Sequence, residues 1–346
     1  MNRLVTVPTA IDLSILLRRV LGAFALCWLV ALAMPAHAEQ RDVIIDPNAS
    51  VESEQQLFRQ APRIHGRVDQ QNKTSSMLEQ PAGRLWRYYH EVLLHWGGAV
   101  AILGMIALLA AFYLIAGRLR ISAGRSGIRI LRFRAIERSA HWLTAISFVV
   151  LGLTGLTITY GKILLLPLIG PEAFSEVAAA TKPVHDFTSF PFVLGLVGIV
   201  VFWLKDNVPR MVDLVWLKRG GGFVRSKHAP AGRFNAGEKL VFWFAVFAGA
   251  AVAVSGYLLL FPFYVTNVTG MQIAQVVHSL TAVLFIAVII AHIYIGTLGM
   301  EGAFEAMGTG SVDLNWAKEH HDLWLEQEVE KGHAPASALP GAAPAE

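Results

Sequence analysis

The sequence predicts an all-α membrane protein, folded as a bundle of transmembrane helices. Of its 346 residues, 54% are hydrophobic and only 16% are charged, whereas about 25% of residues are charged in typical soluble domains. Five apolar runs follow one another, and each is close to the ~20 residues that a helix needs to cross a bilayer. Positive charge is concentrated in alternate loops between the runs, as in multi-pass membrane proteins. The runs cover residues 97–116, 139–160, 187–204, 239–261 and 272–298.

The N-terminus has the pattern of a secretory signal peptide. Two arginines, Arg18 and Arg19, precede a short apolar stretch, and the tripeptide AHA at 36–38 has the A-x-A form of a cleavage site. Residues 1–38 are therefore predicted to be a signal peptide. An uncleaved first membrane helix is the alternative interpretation of the same stretch.

Two polar segments flank the membrane part. Residues 39–92 are polar and lack helical periodicity, which predicts a loosely ordered segment exported to the periplasm. Residues 332–346 are rich in Ala and Pro, which predicts a disordered tail.

The charged connections set the orientation. Residues 118–138 carry seven arginines and one acid, and residues 205–239 carry eight Lys or Arg. The connections at 161–182 and 261–270 have no excess of positive charge and are predicted to be exterior loops. The positive-inside rule then places the mature N-terminus in the periplasm and the C-terminus in the cytoplasm, with the chain in a bacterial inner membrane. The net charge of +4 is explained without a nucleic-acid partner.

Cysteine is nearly absent, and the single one, Cys27, lies in the predicted signal peptide. The mature chain therefore has no disulfide, no thiolate-bound iron–sulfur cluster and no covalently attached c-type haem. Any metal has to be held by nitrogen, oxygen or thioether ligands.

Five histidines are predicted at membrane depth. His278 and His292 are fourteen residues apart in the last run, so on a helix they share one face and lie about 21 Å apart along the axis. Each has a counterpart at its own depth, His185 on the exterior side and His141 on the cytoplasmic side. The fifth is His95.

Two bis-histidine pairs stacked within a helical bundle are typical of a b-type dihaem cytochrome. Hydrogen-bonded packing histidines and a proton-coupled transporter are the alternatives, although the apolar runs contain no Asp or Glu, which disfavours a transporter. Each pair would supply only two of the four ligands of a zinc site. Six glycines would either let a flat macrocycle approach the backbone or serve helix packing. They are Gly152, Gly155, Gly195, Gly198, Gly249 and Gly256.

Several motifs in this region resemble one family. Residues 130–330 contain RFRAIERSAHW, KPVHDF, GRFNAGEKLVFW, QVVHSLTAVLFIAVIIAHIYIG and LNWAKEHHDLW in order. They resemble the gamma subunit of respiratory formate dehydrogenase, a membrane cytochrome b. The resemblance implies a dihaem domain at 130–330 with four transmembrane helices and a cytoplasmic C-terminal helix. The run at 97–116 is then the extra helix of the longer form of this family, which also carries a signal sequence.

The resemblance also implies specific ligands. His185 and His278 would bind the exterior haem b, and His141 and His292 the cytoplasmic haem b, in agreement with the depths of these residues. His95 would be an interfacial residue and not a ligand.

A quinone site is implied beside the cytoplasmic haem, at Asn235, Ala236 and Gly237, for menaquinone or ubiquinone. Asn235 is alternatively the N-cap of the helix that follows. Glu238 stands where the shorter form has a Gln; the family pattern therefore implies no proton donor at this position, although a carboxylate there could assist proton uptake. The pair His320 and His321 lies in an amphipathic stretch, predicted to be a helix on a solvent or membrane surface.

The function implied by the resemblance is an electron-transfer and anchoring subunit without a catalytic residue of its own. Its partners would be a molybdenum or tungsten catalytic (alpha) subunit and an iron–sulfur (beta) subunit, docked on the exterior face. A cytochrome b subunit of a hydrogenase or of a thiosulfate reductase is the alternative from the same class, and a transporter without haem is the alternative from another.

Overall fold

The computed structural model describes residues 83–221 and 229–335. The predicted signal peptide, most of the predicted periplasmic segment and residues 336–346 lie outside the described residues. Apart from Gly83, the first residue of the first helix, all helices and strands described here lie in one compact unit that begins at Arg84.

Five helices in the described part of the chain are long and apolar enough to cross a membrane, which confirms the predicted fold class. The first half of the chain forms α1 (Gly83–Tyr88), a π-helical segment (Tyr89–Gly97), α2 (Gly98–Ala116), β1 (Arg129–Leu131), α3 (Ala135–Leu164) and α4 (Leu166–Trp203). The second half forms α5 (Met211–Lys218), α6 (Ala236–Leu260), α7 (Val268–Tyr294), a second π-helical segment (Ile295–Gly299), α8 (Ala303–Gly308), β2 (Ser311–Asp313), α9 (Leu314–His320) and α10 (Asp322–Glu330).

Two helices begin more than ten residues before the apolar runs that predicted them. The N-terminal span covers Leu85–Ala116, so residues 83–92 are helical although a loosely ordered segment was predicted there. Likewise, α4 begins at Leu166, within the predicted exterior loop 161–182. Apolar runs mark only the part of a helix that lies in hydrocarbon, and these helices continue through polar residues beyond it. Gly170, at φ 80°, separates the first turn of α4 from the rest.

The five spans pack as two hairpins and one additional helix. α3 lies along α4, and α6 lies along α7, while α4 and α6 join the two hairpins. α2 packs along α7. α3 and α7 meet through side chains, among them Phe148 and Phe285, whose ring centroids are 4.5 Å apart.

A small layer caps the bundle at the end where α3 and α6 begin. β1 and β2 pair antiparallel, with Ile130 opposite Val312, and a core of Phe133, Trp203 and Trp316 lies beneath them. This layer contains the charged loops predicted to be cytoplasmic.

The prediction of a surface helix at His320 and His321 is wrong. The helix is interrupted at His321, which lies between α9 and α10. Its side chain is 0% exposed. Its Nδ1 donates a hydrogen bond to the Gly232 carbonyl oxygen, 2.8 Å away. Trp316 and Trp324 on either side of the break are also buried, because both short helices turn their apolar residues into the core of this layer.

The first residues of the predicted disordered tail are ordered. The His333 backbone N–H donates to Glu328 O at 2.8 Å, and the His333 imidazole lies 2.8 Å from the Glu328 carboxylate. These contacts tie residues 332–335 to the end of α10.

Candidate functional site

The structure brings the four predicted histidines together in the two predicted pairs. The ring centroids of His185 on α4 and His278 on α7 are 6.1 Å apart, and those of His141 on α3 and His292 on α7 are 6.2 Å apart. Since α7 is continuous from Val268 to Tyr294, the two pairs lie about 21 Å apart along that helix.

Both separations suit one metal ion between two imidazoles. An imidazole nitrogen binds a metal ion at about 2 Å, and each ring centroid lies about 1 Å behind its nitrogen, so two imidazoles on opposite sides of one ion have centroids about 6 Å apart. In the described residues, no three His, Cys, Asp or Glu side chains are grouped as ligands for one ion. Each pair therefore fits a group that brings its own equatorial donors and needs two axial imidazoles, as haem b does.

Neighbouring helices orient His185 and His278. We call them the exterior pair, and His141 and His292 the cytoplasmic pair, after their predicted sides of the membrane. The His185 Nδ1 lies 2.8 Å from the Thr154 Oγ1, and that hydroxyl donates its own proton to Val150 O at 2.7 Å. The His278 Nδ1 donates to Val252 O at 3.0 Å. Because both partners accept, the proton of each ring is on Nδ1 and the lone pair is on Nε2. Such contacts fix the tautomer and the ring orientation of metal-binding histidines.

The cytoplasmic pair has a different environment. Within the part of the chain that the structure describes, the buried His141 Nδ1 has no hydrogen-bond partner, and its ring lies 5.4 Å from Trp142 and 6.3 Å from Trp203. The Trp142 Nε1 donates to Met307 O at 3.0 Å, which ties this part of α3 to α8. Aromatic packing, rather than a hydrogen bond, therefore holds the His141 ring.

The six glycines face two kinds of neighbour, while the predicted approach of a macrocycle to them stays a prediction. Gly155 and Gly256 face ligand candidates: an added Cβ would lie 3.6 Å from His185 Cε1 and 3.1 Å from His278 Cε1. By contrast, a Cβ at Gly195 would crowd the Thr144 backbone. Packing against a neighbouring helix also accounts for Gly152, Gly198 and Gly249.

Three phenylalanines between the pairs were missed in the sequence. Phe148, Phe192 and Phe285 each lie seven residues after the histidine of their own helix, and Phe285 is midway between His278 and His292. The Phe285 centroid is 4.5 Å from Phe148 and 6.4 Å from Phe192. Seven residues are close to two helical turns, so this spacing was the signal that could have revealed them.

The predicted quinone residues form the first turn of α6. The Asn235 Oδ1 accepts a hydrogen bond from the Glu238 N–H at 2.9 Å, which confirms the N-cap interpretation. Ala236 is buried. Gly237 faces the ring of Trp216 on α5, where an added Cβ would lie 3.1 Å from Cη2. Trp216 therefore borders this site.

Glu238 is the counterion of a buried arginine. The Arg132 Nη2 donates to both Glu238 oxygens, at 3.0 and 3.1 Å. Burial lowers the pKa of Arg132, and the charge of Glu238 opposes that shift. The His321 Nε2 has no hydrogen-bond partner among the described residues and lies 3.8 Å from Glu238 Oε2. Burial, reinforced by the charge of Arg132, lowers the pKa of His321 to about 3, so His321 is neutral.

His95 is engaged by backbone carbonyls. Its Nδ1 lies 2.6 Å from His90 O, and its Nε2 lies 3.1 Å from Thr159 O on α3. The ring is therefore in contact with α3, and its position at the membrane interface stays a prediction. The His90 ring centroid is 5.7 Å from that of His95, but the His95 nitrogens face these carbonyl oxygens and not the His90 ring.

Comparison with known proteins gives consistent matches. Residues 132–310 match the family model described as prokaryotic cytochrome b561. The cytochrome b556(fdo) subunit of formate dehydrogenase from Escherichia coli K12 is 31% identical over 202 residues, which cover 57% of this chain and 92% of the relative.

Two further relatives have similar names. The nitrate-inducible cytochrome b556(Fdn) subunit of formate dehydrogenase from E. coli K12 is 26% identical over 59% of this chain and 94% of its own length. The formate dehydrogenase cytochrome b556 subunit of Haemophilus influenzae is 27% identical over 58% of this chain and 84% of its own length. Each relative is thus matched over most of its length, while a large part of this chain lies outside the match.

Proposed function

The chain belongs to the prokaryotic cytochrome b561 family, among the cytochrome b subunits of formate dehydrogenases, and from this premise we propose that it connects formate oxidation to quinone reduction across the membrane. Haem b, bound by both histidine pairs, would supply the reversible one-electron chemistry that links an iron–sulfur partner on the exterior side to quinone on the cytoplasmic side. The remaining roles belong to the side chains of this chain.

The observation that carries the proposal is the pairing of four histidines at the two ends of α7. His278 and His292 project from this one helix, and the centroid of each lies 6.1 or 6.2 Å from that of a histidine of another helix. Packing alone gives no reason for imidazoles to meet in pairs at two depths. A haem b at each depth would give such a reason, because it would take two histidines of the protein as ligands.

Other residues orient the ligands and exclude water. Thr154 and Val252 hold the Nδ1 protons of the exterior pair, which leaves Nε2 for the iron. Phe285, 2% exposed, and its neighbours Phe148 and Phe192 fill the bilayer interior between the pairs. This packing keeps water out of the region that separates the two sites.

We place quinone reduction at the first turn of α6. Trp216 packs against Gly237 and Ala236 is buried, so the Asn235 amide is the group of this turn that would meet a quinone carbonyl. Since the Asn235 Oδ1 is occupied by the Glu238 N–H, its NH2 group is the part that would donate. Protons for the quinol would come from the cytoplasm, on which this turn borders.

The partners follow from the same proposal. A catalytic alpha subunit that oxidises formate and an iron–sulfur beta subunit would dock on the periplasmic face of the inner membrane, near His185 and His278. This chain would anchor them there. Electron movement inward and proton uptake from the cytoplasm would together separate charge across the membrane.

Counting haem in matched variants tests the proposal. The full-length protein is purified from membranes with its partners, and haem b per chain is measured from the absorption spectrum. We expect two haems in the wild type and one in each of His278→Ala and His292→Ala. His95→Ala is the control and keeps two, because the His95 nitrogens are held by carbonyls. Loss of haem from His95→Ala, or two haems in His292→Ala, would refute the ligand assignment.

Co-purification tests the partners separately. A formate-oxidising subunit in the purified complex supports the proposal. A nickel–iron subunit in its place assigns the chain to a hydrogenase and overturns the choice of substrate, but leaves the haem ligands intact.

A further inference from the structure

The N-terminal span, Leu85–Ala116, lies outside residues 132–310 that match the family model. It nevertheless packs beside the exterior histidine pair. His185 belongs to the α3–α4 hairpin and His278 to the α6–α7 hairpin, so the spacing of the two hairpins sets the spacing of this pair. α3 and α7 meet at Phe148 and Phe285, midway between the two histidine pairs, so a helix that bridges them at the exterior end contributes to that spacing.

The span is hydrogen-bonded to α7 at the turn that carries His278. The Tyr89 hydroxyl lies 2.7 Å from Ser279 Oγ and donates to Val276 O at 3.2 Å. Ser279 gives its own proton to Gln275 O, 2.7 Å away. The Tyr89 O–H is therefore the donor in either contact. Its two acceptors, Val276 and Ser279, lie on either side of His278 in the sequence.

The same span is hydrogen-bonded to α3. The Tyr160 hydroxyl reaches back to the π-helical segment, where it donates to His95 O at 3.0 Å and to Leu94 O at 3.2 Å. The His95 ring meets Thr159 O at 3.1 Å. Thr159 and Tyr160 follow Thr154, the hydroxyl partner of His185, by little more than one helical turn. The exterior half of α3 is thus held on one side by His185 and on the other by the N-terminal span.

Gly98 marks the place where the three helices meet. A Cβ at this position would overlap the Tyr160 hydroxyl of α3 and lie 3.2 Å from Val283 Cγ2 of α7. Only a residue without a side chain lets α2 approach both hairpins at once. The neighbouring Gly97 has no atom of the described chain within 4 Å of an added Cβ.

We propose that the N-terminal span acts as a clasp: it connects the two hairpins by contacts with α3 and α7 and thereby sets the geometry of the His185–His278 pair. Its positioning residues are Tyr89, Gly98 and Tyr160. The proposal rests on the haem-binding role in the proposed function. It assigns a role to a part of the chain that the match to the family does not cover.

Two matched pairs of variants in the full-length protein test the clasp. Gly98→Ala is compared with Gly97→Ala, and Tyr89→Phe with Tyr88→Phe, since Tyr88 is an exposed neighbour. The first readout is amide hydrogen exchange along α7, which needs no haem. Gly98→Ala and Tyr89→Phe should speed exchange around 272–280 by about fivefold, the effect of losing one hydrogen bond, and leave 288–294 unchanged. The two controls should change neither.

The second readout is the midpoint potential of each haem. If the clasp acts at the exterior pair, its variants shift the midpoint potential of that haem only. A general loss of stability leaves both midpoint potentials unchanged. If Gly98→Ala does not fold, Tyr89→Phe and Ser279→Ala, which remove a single hydroxyl each, carry the test. Unchanged exchange and unchanged potentials in the variants overturn the clasp. A wild type without haem overturns the proposed function instead, and the exchange measurement still decides on the clasp.

Discussion

His278 and His292 lie on one face of α7, and each pairs with a histidine from a different helix of the α3–α4 hairpin. His278 meets His185 of α4, and His292 meets His141 of α3. One helix therefore supplies half of both sites, so a shift of α7 along its axis would disturb both together. The two pairs differ in what holds them: hydrogen bonds orient the exterior pair, and aromatic rings enclose His141.

Thr154→Val tests the importance of this orientation. The substitution keeps the shape of the side chain and removes the acceptor for the His185 Nδ1–H, so the ring loses its fixed tautomer. Loss of such a contact typically weakens metal binding about 10- to 100-fold. We expect the exterior haem to be lost correspondingly faster to a haem-scavenging protein, with the cytoplasmic haem retained. Thr157→Val, which removes a hydroxyl bonded only within α3 at Leu153 O, is the control. Equal haem loss in both variants would contradict the role of Thr154.

The two pairs could be predicted from the sequence because helix geometry alone determines depth. His278 and His292 are fourteen residues apart, and the counterparts follow from where their own apolar runs begin. The burial of His321 could not be predicted in this way. Its partner is the carbonyl of Gly232, far away in the chain, and a local pattern of polar residues carries no information about such a contact.

The same limit applies to the quinone site and to the helix lengths. The N-cap spacing from Asn235 to Glu238 is local and was recognised, whereas the contact of Trp216 with Gly237 joins two elements separated by a loop. Helix α4 begins at Leu166, where polar residues and Pro171 interrupt the apolar pattern. Hydropathy indicates which residues lie in lipid, and it does not indicate where a helix ends outside the lipid.

Glu238→Gln tests the buried ion pair with Arg132. The variant leaves the guanidinium buried without a full counter-charge, which costs about 3–5 kcal/mol in a fully buried pair. Glu238 is 34% exposed, so we expect a smaller loss of about 1–3 kcal/mol in the free energy of unfolding, measured by denaturant titration in detergent. Glu305→Gln is the control, because Glu305 pairs with the exposed Arg129 and such pairs contribute about 0–1 kcal/mol. The same loss in both variants would show that burial of Arg132 is unimportant.

His321 predicts how stability depends on pH. The pKa of His321 is lowered to about 3 in the folded protein by burial and by Arg132, while the unfolded chain titrates near the ordinary value of 6.5. Between these values the unfolded state binds one more proton, so stability falls as the pH is lowered, by up to about 1.4 kcal/mol per pH unit. His321→Asn keeps a donor for Gly232 O and removes the titration. Its stability should therefore fall less steeply below pH 6.5.

The matched control for this experiment is His333→Asn. His333 is exposed and lies beside the Glu328 carboxylate, so its removal leaves the contribution of His321 in place. Thermal unfolding at several pH values between 4 and 7 measures both slopes. Identical slopes in His321→Asn and the wild type would show that His321 is not neutral in the folded state.

Asn235 combines two roles that variants can separate. Asn235→Ala removes the N-cap of α6 and should cost about 0.5–2 kcal/mol of stability, and it also removes the amide that would meet quinone. Asn267→Ala removes the N-cap of α7, where Asn267 Oδ1 accepts from Gly270 N–H at 3.0 Å, and should cost a similar amount. Only the first variant should weaken quinone binding, measured as the dissociation constant of a quinone analogue.

Asn235→Asp completes the test, because a carboxylate caps the helix as well as an amide does but has no N–H to donate. Full stability with weakened binding is expected for this variant. Binding unchanged in Asn235→Asp would leave Asn235 as a cap alone and move the quinone site away from the first turn of α6.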